Sequence, residues 1–497
     1  MPRRITLWGG FHLALFLAFV AGYAVVHYLA SFTFPVPWPD ESFFLWQSLA
    51  FGDHFSLLAP QVNPERPIFL TPPGYPMAVG PIFQIFGFSF QFARGLSFLF
   101  IVLSFALLVW MTRKYGLATL ALLFCGIFLL SKDFVIAGNS ARMESFLLML
   151  VCMGMVLIQR GDDFKGLMLL AVTPLVHPNG LFFVASALVY VLFSGRIRKR
   201  RWGRWESVLL AFVALLWLAY AVYALRHWGS FKNDLAWNLG KSHQRGILVG
   251  LLNLFAREHF FILLLIFFCA AYAVKEKLAA AFLLVPAVPA WFLLRVRVDM
   301  WYSIFGALFY LLFSIVLLHV AAHLFKQTKI AKSNWIRSAL LAALVIILLF
   351  AHGKAGIVEN PLRYPFGMQW KGMTMREGPY YMEDRDVETI GSFLSSLPRT
   401  KEGELPTVLF FPRADALFFY PLDGKSVRLI QPSFIPRRPD VTIVHKSRYL
   451  PKSLRNQLPG ELLRAGIDPS RPGHVLHRRH TSEIWYCRPR GNRGNIP

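Results

Sequence analysis

Two adjacent carboxylates, Asp40 and Glu41, are the residues of this sequence best suited to acid–base chemistry. They follow a long apolar segment, in the stretch Trp38-Pro-Asp-Glu-Ser-Phe-Phe-Leu-Trp46. A carboxyl group at a membrane surface is partly removed from water, which favours its protonated form and draws its pKa towards neutrality. Such a group can accept the proton of a hydroxyl as a general base. Asp40 also has a structural role open to it, as the cap of a short helix that starts at Glu41.

A third acid, Glu144, stands at the start of another apolar segment, two residues after Arg142. An acid at the rim of a membrane helix is costly to place there and is therefore a candidate for function. Glu144 is suited to holding an acceptor, a base or a divalent metal ion. The ligands of such a metal ion would be Asp40 and Glu144. The need for a metal stays open. The alternative is that Arg142 and Glu144 only anchor the end of the helix.

Basic residues on the same expected side of the membrane are candidates for binding a phosphate. A phosphate leaving group gathers negative charge in the transition state, which cationic side chains stabilise. Contact with lipid headgroups explains the same residues equally well. The candidates are Arg66, Lys241, His243, Arg245, Arg295 and Arg297.

Three further residues are assigned to the substrate pocket. Tyr75 offers an aromatic ring on which a sugar can stack, and Arg142 lies beside the third acid. His177 interrupts an apolar stretch, where it either lines the cavity or belongs to a tight turn. The following Pro178 and Asn179 favour the turn.

The elements that must position these residues are membrane helices. Of the 497 residues 56% are hydrophobic and 16% charged, against about 25% charged in a typical soluble protein. The composition therefore excludes a soluble enzyme with one membrane tail, a disordered chain and a disulfide-stapled secreted domain. The net charge of +25 is assigned to cytoplasmic loops and to lipid contact, because no nucleic-acid-binding module accompanies it.

About eleven apolar segments have the length of a membrane-spanning helix. The first runs from about Ile5 to Phe32 and is interpreted as an uncleaved anchor. Clusters of Lys and Arg fall in alternate loops, which places them and the N-terminus in the cytoplasm. The outer side then receives residues 33–90 and everything after about residue 353. The other segments begin near Phe92, Leu117, Glu144, Leu167, Asn179, Trp205, His259, Leu278, Trp301 and Ile336.

The C-terminal part of the chain has the pattern of a small α/β domain, with short β-branched and aromatic runs between polar turns. The predicted organisation is a transmembrane domain over residues 1–353, with its catalytic first outer loop at 33–90, and an extracytoplasmic domain over 354–497. Strands are expected at 407–411, 426–430 and 441–444, helices at 384–397 and 452–465, and a hairpin at 474–487.

The ordered set Asp40-Glu41, Gly52-Asp53 and Pro72-Pro73-Gly74-Tyr75-Pro76 resembles the GT-C superfamily of membrane glycosyltransferases. The nearest subgroup is formed by bacterial relatives of protein O-mannosyltransferases and of the lipid A aminoarabinose and galacturonic acid transferases. The resemblance implies a polytopic GT-C fold in the bacterial inner membrane. It implies a polyprenyl-phosphate sugar as donor and an acid of the first outer loop as the base, with Glu144 facing the acidic pair. One position departs from the aminoarabinose-transferase pattern, since Thr71 replaces the lysine associated with the donor phosphate.

The sequence therefore predicts an inverting glycosyltransferase that moves the sugar to a glycolipid, a glycan or a protein of the cell envelope. Asp40 is the predicted base, while Glu41 and Glu144 would orient the acceptor or a metal. One alternative is a hydrolase or phosphotransferase of lipid-linked intermediates. Another is a transporter or flippase of a polyprenyl lipid, although transporters usually show repeated halves and no repeat is evident.

Overall fold

The protein is described by a computed structural model over most of its first half and over parts of its C-terminal region. The described ranges are 10–30, 39–63, 66–69, 71–112, 118–130, 132–193, 203–242, 384–400, 402–411, 413–430, 439–447, 474–478 and 482–487, with residues 304, 308, 311, 456, 458–460 and 462–463.

Helices make up nearly all of the described chain as far as residue 242. They follow the apolar runs of the sequence and break at glycine, proline and charged residues. The helices are α1 (Gly10–Ala30), α2 (Pro39–His54), α3 (Gly74–Phe86), α4 (Phe90–Thr112), α5 (Ala118–Leu129), α6 (Lys132–Gly138), α7 (Met143–Arg160), α8 (Asp163–Val176), α9 (Gly180–Phe193), α10 (Arg204–Arg226) and α11 (Trp228–Ser242).

Four of the described helices are long and apolar enough to cross a membrane. The spanning segments are Gly10–Tyr28 of α1, Phe90–Met111 of α4, Met143–Arg160 of α7 and Arg204–Arg226 of α10. The prediction of a polytopic helical membrane protein is thereby confirmed. The segments expected near Leu117, Leu167 and Asn179 form helices of 12 to 14 residues. Those expected near His259, Leu278 and Ile336 lie outside the described ranges, and of the segment near Trp301 only residues 304, 308 and 311 are described. The total of eleven therefore stays a prediction.

The chain forms two compact units. The first comprises Met1–Tyr28, Ser97–Gly138 and Met143–Met368, and the second Leu29–Leu96, Asn139–Arg142 and Gln369–Pro497. The second unit thus joins Leu29–Leu96 to the C-terminal region. The predicted domain boundary between residues 353 and 354 falls outside the described residues and stays a prediction.

In the first unit, close helix crossings rest on small residues. A Cβ added to Gly166 of α8 would lie 2.7 Å from the backbone oxygen of Gly154 in α7, so only glycine permits this approach. Hydrogen bonds reinforce the packing: the Tyr23 hydroxyl donates to the Phe134 carbonyl at 2.9 Å, and Trp217 Nε1 donates to the Ala171 carbonyl at 2.9 Å.

The C-terminal part of the second unit contains a five-stranded sheet behind helix α12 (Asp384–Ser396). The strands are β1 (Thr407–Phe411), β2 (Arg428–Ile430), β3 (Val441–Ser447), β4 (His474–Arg478) and β5 (Ser482–Cys487). They lie in the order β2-β1-β3-β5-β4, with β1 parallel to β2 and β3 and with β5 antiparallel to β3 and β4. The predicted strands at 407–411 and 441–444 and the final hairpin are confirmed, while the strand expected from 426 begins at Arg428. Most of the helix expected at 452–465 lies outside the described residues.

Strand β1 lies between its two parallel neighbours β2 and β3, and its residues from Val408 to Phe411 are apolar and buried, as is typical of a strand covered on both faces. Leu409 and Phe411 share a core with Val444 and Cys487. A 3-10 segment, Arg413–Leu422, follows β1. Its Asp415 pairs with His445 of β3 at 3.0 Å inside the fold, which ties the segment to the sheet.

Candidate functional site

Helix α2 carries the acidic pair in its first turn. The helix begins at Pro39, whose fixed φ suits the first helical position. The expectation that Asp40 caps a helix starting at Glu41 is therefore corrected, because Asp40 already lies within the helix. Both acids still face the positive end of the helix dipole, where negative charge is stabilised.

Glu41 is completely buried in an ion pair with Arg94 of α4. Arg94 Nη2 donates to Oε1 at 2.8 Å and Nε donates to Oε2 at 3.2 Å, and both side chains have no exposed surface. The backbone N–H of Ala141 also donates to Oε2, at 2.8 Å. The Arg94 guanidinium lies over the Phe90 ring, 4.7 Å from its centroid. The carboxylate of Glu41 thus joins α2, the start of α4 and the segment before α7.

Asp40 has a different environment, since 48% of its side chain is exposed. Arg142 Nη1 donates to Asp40 Oδ2 at 3.2 Å, while the Arg142 side chain is only 5% exposed. Arg142 is held in turn by the Phe44 ring, whose centroid lies 5.1 Å from the guanidinium carbon. Asp40 is thus partly removed from water and keeps an accessible carboxylate, whereas Glu41 is fully buried.

A metal ion bound by Asp40 and Glu144 stays a prediction. Each carboxylate of the acidic pair is already paired with a guanidinium, and a cation bound there would meet that positive charge at close range. Within the described ranges, no group of three or more His, Cys, Asp or Glu side chains comes together as metal ligands do.

The remaining candidates between residues 66 and 75 lie in the same unit as helix α2. Gln47 of α2 donates from Nε2 to the Ile68 carbonyl at 3.0 Å and accepts a short hydrogen bond from the Thr71 hydroxyl. Thr71, which replaces the lysine of the aminoarabinose-transferase pattern, thus links its loop to α2. Arg66 is partly exposed, and its Nη1 donates to the Pro67 carbonyl at 3.4 Å. Tyr75 is buried with its ring against Phe44, the centroids being 6.4 Å apart.

Other predicted site residues lie in the first unit or outside the described ranges. Glu144 is buried in the first turn of α7, and its approach to the acidic pair stays a prediction. His177 is buried at the end of α8, where its Nδ1 accepts the Asn179 N–H at 3.0 Å, as expected of a tight turn. The backbone of Lys241 belongs to α11. The described ranges do not include His243, Arg245, Arg295 or Arg297.

The other end of α2 contacts the 3-10 segment of the C-terminal region. The Tyr420 hydroxyl donates to Asp53 Oδ2 at 2.8 Å, and its ring lies 5.6 Å from that of Trp46. Burial, followed by the hydrogen bond to Asp53, raises the pKa of Tyr420, so the phenol keeps its proton. Asp423 accepts Gln61 Nε2 at 2.9 Å and the Leu429 N–H at 2.8 Å. The C-terminal region is therefore attached to the helix that carries the acidic pair.

Sequence reasoning missed two residues of this site. Arg94 is a charge within an apolar helix, and such a residue is a functional candidate by default, so the signal was present. Tyr420 gives no comparable signal, because an isolated tyrosine in an apolar run resembles an ordinary core residue.

Comparison with known proteins shows the fold. No family model and no curated protein matches the chain. Among solved structures, the crystal structure of ArnT from Cupriavidus metallidurans bound to undecaprenyl phosphate matches with a TM-score of 0.50 and 15% identity, over 95% of this chain and 97% of that one. At this identity the likeness concerns architecture alone. The chain accordingly has a polytopic helical membrane architecture like that of this structure.

Proposed function

We propose that the protein is an integral-membrane glycosyltransferase that moves a sugar from a polyprenyl phosphate to an acceptor of the cell envelope. The reaction takes place on the outer face of the bacterial inner membrane, with the N-terminus in the cytoplasm and the C-terminal region outside. The observation that carries the proposal is the accessible carboxylate of Asp40, held by Arg142 next to the buried Glu41–Arg94 pair. The fold of ArnT, whose structure contains undecaprenyl phosphate, supports a polyprenyl phosphate as the lipid.

In the proposed reaction an acceptor hydroxyl attacks the anomeric carbon of the sugar. The bond from that carbon to the phosphate oxygen breaks, and polyprenyl phosphate leaves with the electron pair. Asp40 accepts the hydroxyl proton, which increases the nucleophilicity of the oxygen as it attacks. The configuration at the anomeric carbon inverts, because one displacement takes place from the face opposite the phosphate.

Glu41 has a positioning role in this scheme. Its carboxylate is occupied by Arg94 and by the Ala141 N–H, so it fixes the first turn of α2 instead of orienting the acceptor. Groups held in a fixed geometry before the reaction avoid the cost of being ordered during it. Arg142 orients Asp40 itself, through the hydrogen bond from its Nη1 to Asp40 Oδ2.

Basic residues would hold the leaving phosphate, whose charge grows as the bond breaks. Arg66 is the described candidate for this role, and its side chain is partly exposed in the same unit as Asp40. The remaining candidates for the phosphate are Lys241, His243, Arg245, Arg295 and Arg297. Glu144 stays the candidate for orienting the acceptor, and Tyr75, Arg142 and His177 stay the candidates for the substrate pocket.

The test compares two Asp→Asn variants on one helix. Wild-type protein, Asp40→Asn and Asp53→Asn are reconstituted in vesicles with undecaprenyl phosphate carrying a labelled sugar and with extracted envelope lipids and glycans as acceptors. Loss of a general base typically lowers the rate by about 10²- to 10⁴-fold. We expect that loss for Asp40→Asn and near wild-type rates for Asp53→Asn, whose amide oxygen can still accept from Tyr420.

The same assay separates the rival functions. Transfer at the wild-type rate by Asp40→Asn removes Asp40 as the base. Release of free sugar without an acceptor product identifies a hydrolase. Movement of the intact labelled lipid across the vesicle membrane, with no bond broken, identifies a flippase.

A further inference from the structure

Helices α2 and α3 run side by side in the same direction. Near their starts the rings of Phe44 and Tyr75 are 6.4 Å apart. Further along, a Cβ on Gly52 would lie 2.6 Å from the Gly80 carbonyl oxygen, so the two backbones touch there. Both helices therefore end on the same side of the pair, within about two turns of this crossing.

Three large apolar side chains project from these two ends. Phe55, directly after α2, is 80% exposed, and Ile85 and Phe86, which end α3, are 74% and 73% exposed. Neighbouring aromatic residues do not share this exposure, since Phe83 is buried and Phe90 lies against Phe418 of the 3-10 segment. The exposed set, named here the apolar tip, consists of Phe55, Ile85 and Phe86.

The backbone at Phe55 is unusual for such a residue. Its φ is +53°, in the left-handed region that glycine or asparagine normally occupies at a helix end. The Phe55 N–H still donates to the Phe51 carbonyl at 2.9 Å, as in an ordinary helix terminus. The Phe55 ring meets the Phe51 ring edge to face, with the centroids 5.8 Å apart, yet 80% of the residue stays exposed. Most of its apolar surface therefore faces the surroundings of the protein.

The apolar tip lies next to the entry of α4, one of the candidate membrane spans. Only residues 87–89 separate Phe86 from Phe90, so the two Cα atoms are at most about 15 Å apart. The Phe86 ring lies 6.2 Å from the ring of Phe92, in the first turn of α4. Aromatic and apolar side chains beside the end of a membrane-spanning helix normally enter the boundary between headgroups and acyl chains.

We infer that the apolar tip binds the bilayer interface and so fixes the height of α2 and α3 above the membrane. The occupant of the exposed surface is lipid, not a second protein. The inference depends on α4 crossing the membrane and is independent of the proposed transfer reaction. It concerns the end of α2 opposite to the acidic pair.

The first experiment measures the depth of labels at the tip. An environment-sensitive fluorophore is attached to Phe55→Cys, Phe86→Cys, Glu404→Cys or Leu103→Cys in a background without Cys125, Cys152, Cys269 and Cys487. The proteins are placed in nanodiscs of phosphatidylcholine and phosphatidylglycerol with or without spin-labelled lipid. Glu404 is an exposed residue before the sheet, and Leu103 is an exposed apolar residue in the middle of α4.

We expect labels at residues 55 and 86 to be quenched by the spin-labelled lipid and shielded from aqueous iodide, as the label at residue 103 is. The label at residue 404 should show the opposite behaviour. Quenching of both tip labels by iodide overturns the inference, because the tip is then in water. Shielding from both quenchers also overturns it, because another protein surface then covers the tip.

A second experiment keeps the native cysteines. Benzoylphenylalanine replaces Phe55, Phe86 or Glu404, and the protein is irradiated in vesicles that contain radiolabelled phosphatidylglycerol. Labelled lipid on the variants at residues 55 and 86, with none at residue 404, supports lipid as the occupant. Equal labelling at all three positions contradicts it. Phe55→Asn, which removes the apolar ring but tolerates the backbone angle, should weaken lipid crosslinking at residue 86.

Discussion

Neutralising Glu41 should strongly destabilise the protein, because its partner Arg94 would keep its charge inside the fold. Glu41→Gln preserves the shape of the side chain, and its amide oxygen can still accept the Ala141 N–H. Its NH2 group cannot accept from Arg94 Nη2, so the change removes the charge together with that hydrogen bond. Both side chains are completely buried, and their contacts are 2.8 Å and 3.2 Å long. Removing one partner of such a pair costs about 3–5 kcal/mol.

Removing both charges together should lower the free energy of unfolding by less than removing either one alone. In Glu41→Gln/Arg94→Gln no charge remains buried, and replacing both partners of a buried pair is often close to neutral. The two single variants and the double variant form a cycle whose interaction energy is the loss in the double variant minus the sum of the two single losses. Its magnitude should exceed about 3 kcal/mol, because each single loss is large and the double loss is small. Arg142→Gln is the matched control, since its partner Asp40 is half exposed and such pairs contribute about 1 kcal/mol or less.

The assay is denaturant unfolding of the purified protein in micelles, followed by tryptophan fluorescence. We expect a large loss of unfolding free energy for Glu41→Gln and for Arg94→Gln, and a small loss for Arg142→Gln. If each single variant loses less than about 1 kcal/mol of unfolding free energy, and the two losses add in the double variant, the Glu41–Arg94 ion pair is refuted.

Three further changes test other contacts of the second unit. Gly80→Ala places a Cβ 2.4 Å from a backbone oxygen of α2 and should lower the unfolding midpoint, whereas Gly95→Ala, with open space around it, should not. Tyr420→Phe removes the hydrogen bond to Asp53 and should cost about 1 kcal/mol in denaturant unfolding, with Tyr486→Phe as the control. Burial raises the pKa of Asp423, so this group stabilises the fold below its unfolded pKa near 3.8 and loses that contribution as the pH rises. Asp423→Asn should therefore flatten the fall in unfolding midpoint from pH 4 upwards, and an unchanged pH profile would contradict this assignment.

Helix and strand positions could be predicted because each depends on a short run of residues. Helix α4 begins at Phe90 and α7 at Met143, both within two residues of their predicted starts. Helix α8 begins at Asp163, four residues earlier than predicted, because a charged first turn precedes its apolar part. Local patterns of apolar residues contain this information.

The partners of the acidic pair could not be predicted in the same way. Glu41 meets Arg94 across 53 residues and the Ala141 N–H across 100 residues, and Tyr420 meets Asp53 across 367. No sequence periodicity relates positions so far apart, since only the folded chain brings them together. The sequence identified the two acids but not that one is buried while the other stays accessible.

The central claim is that Asp40 faces the reacting carbon of a polyprenyl-phosphate sugar. A cryo-electron microscopy map of Asp40→Asn in a nanodisc with undecaprenyl phosphate carrying the sugar tests it most directly. The account predicts that the anomeric carbon faces residue 40 with room for one hydroxyl, whose oxygen would lie about 3 Å from that side chain. A donor whose sugar is bound away from residue 40, or at the opposite face of the membrane, would contradict it.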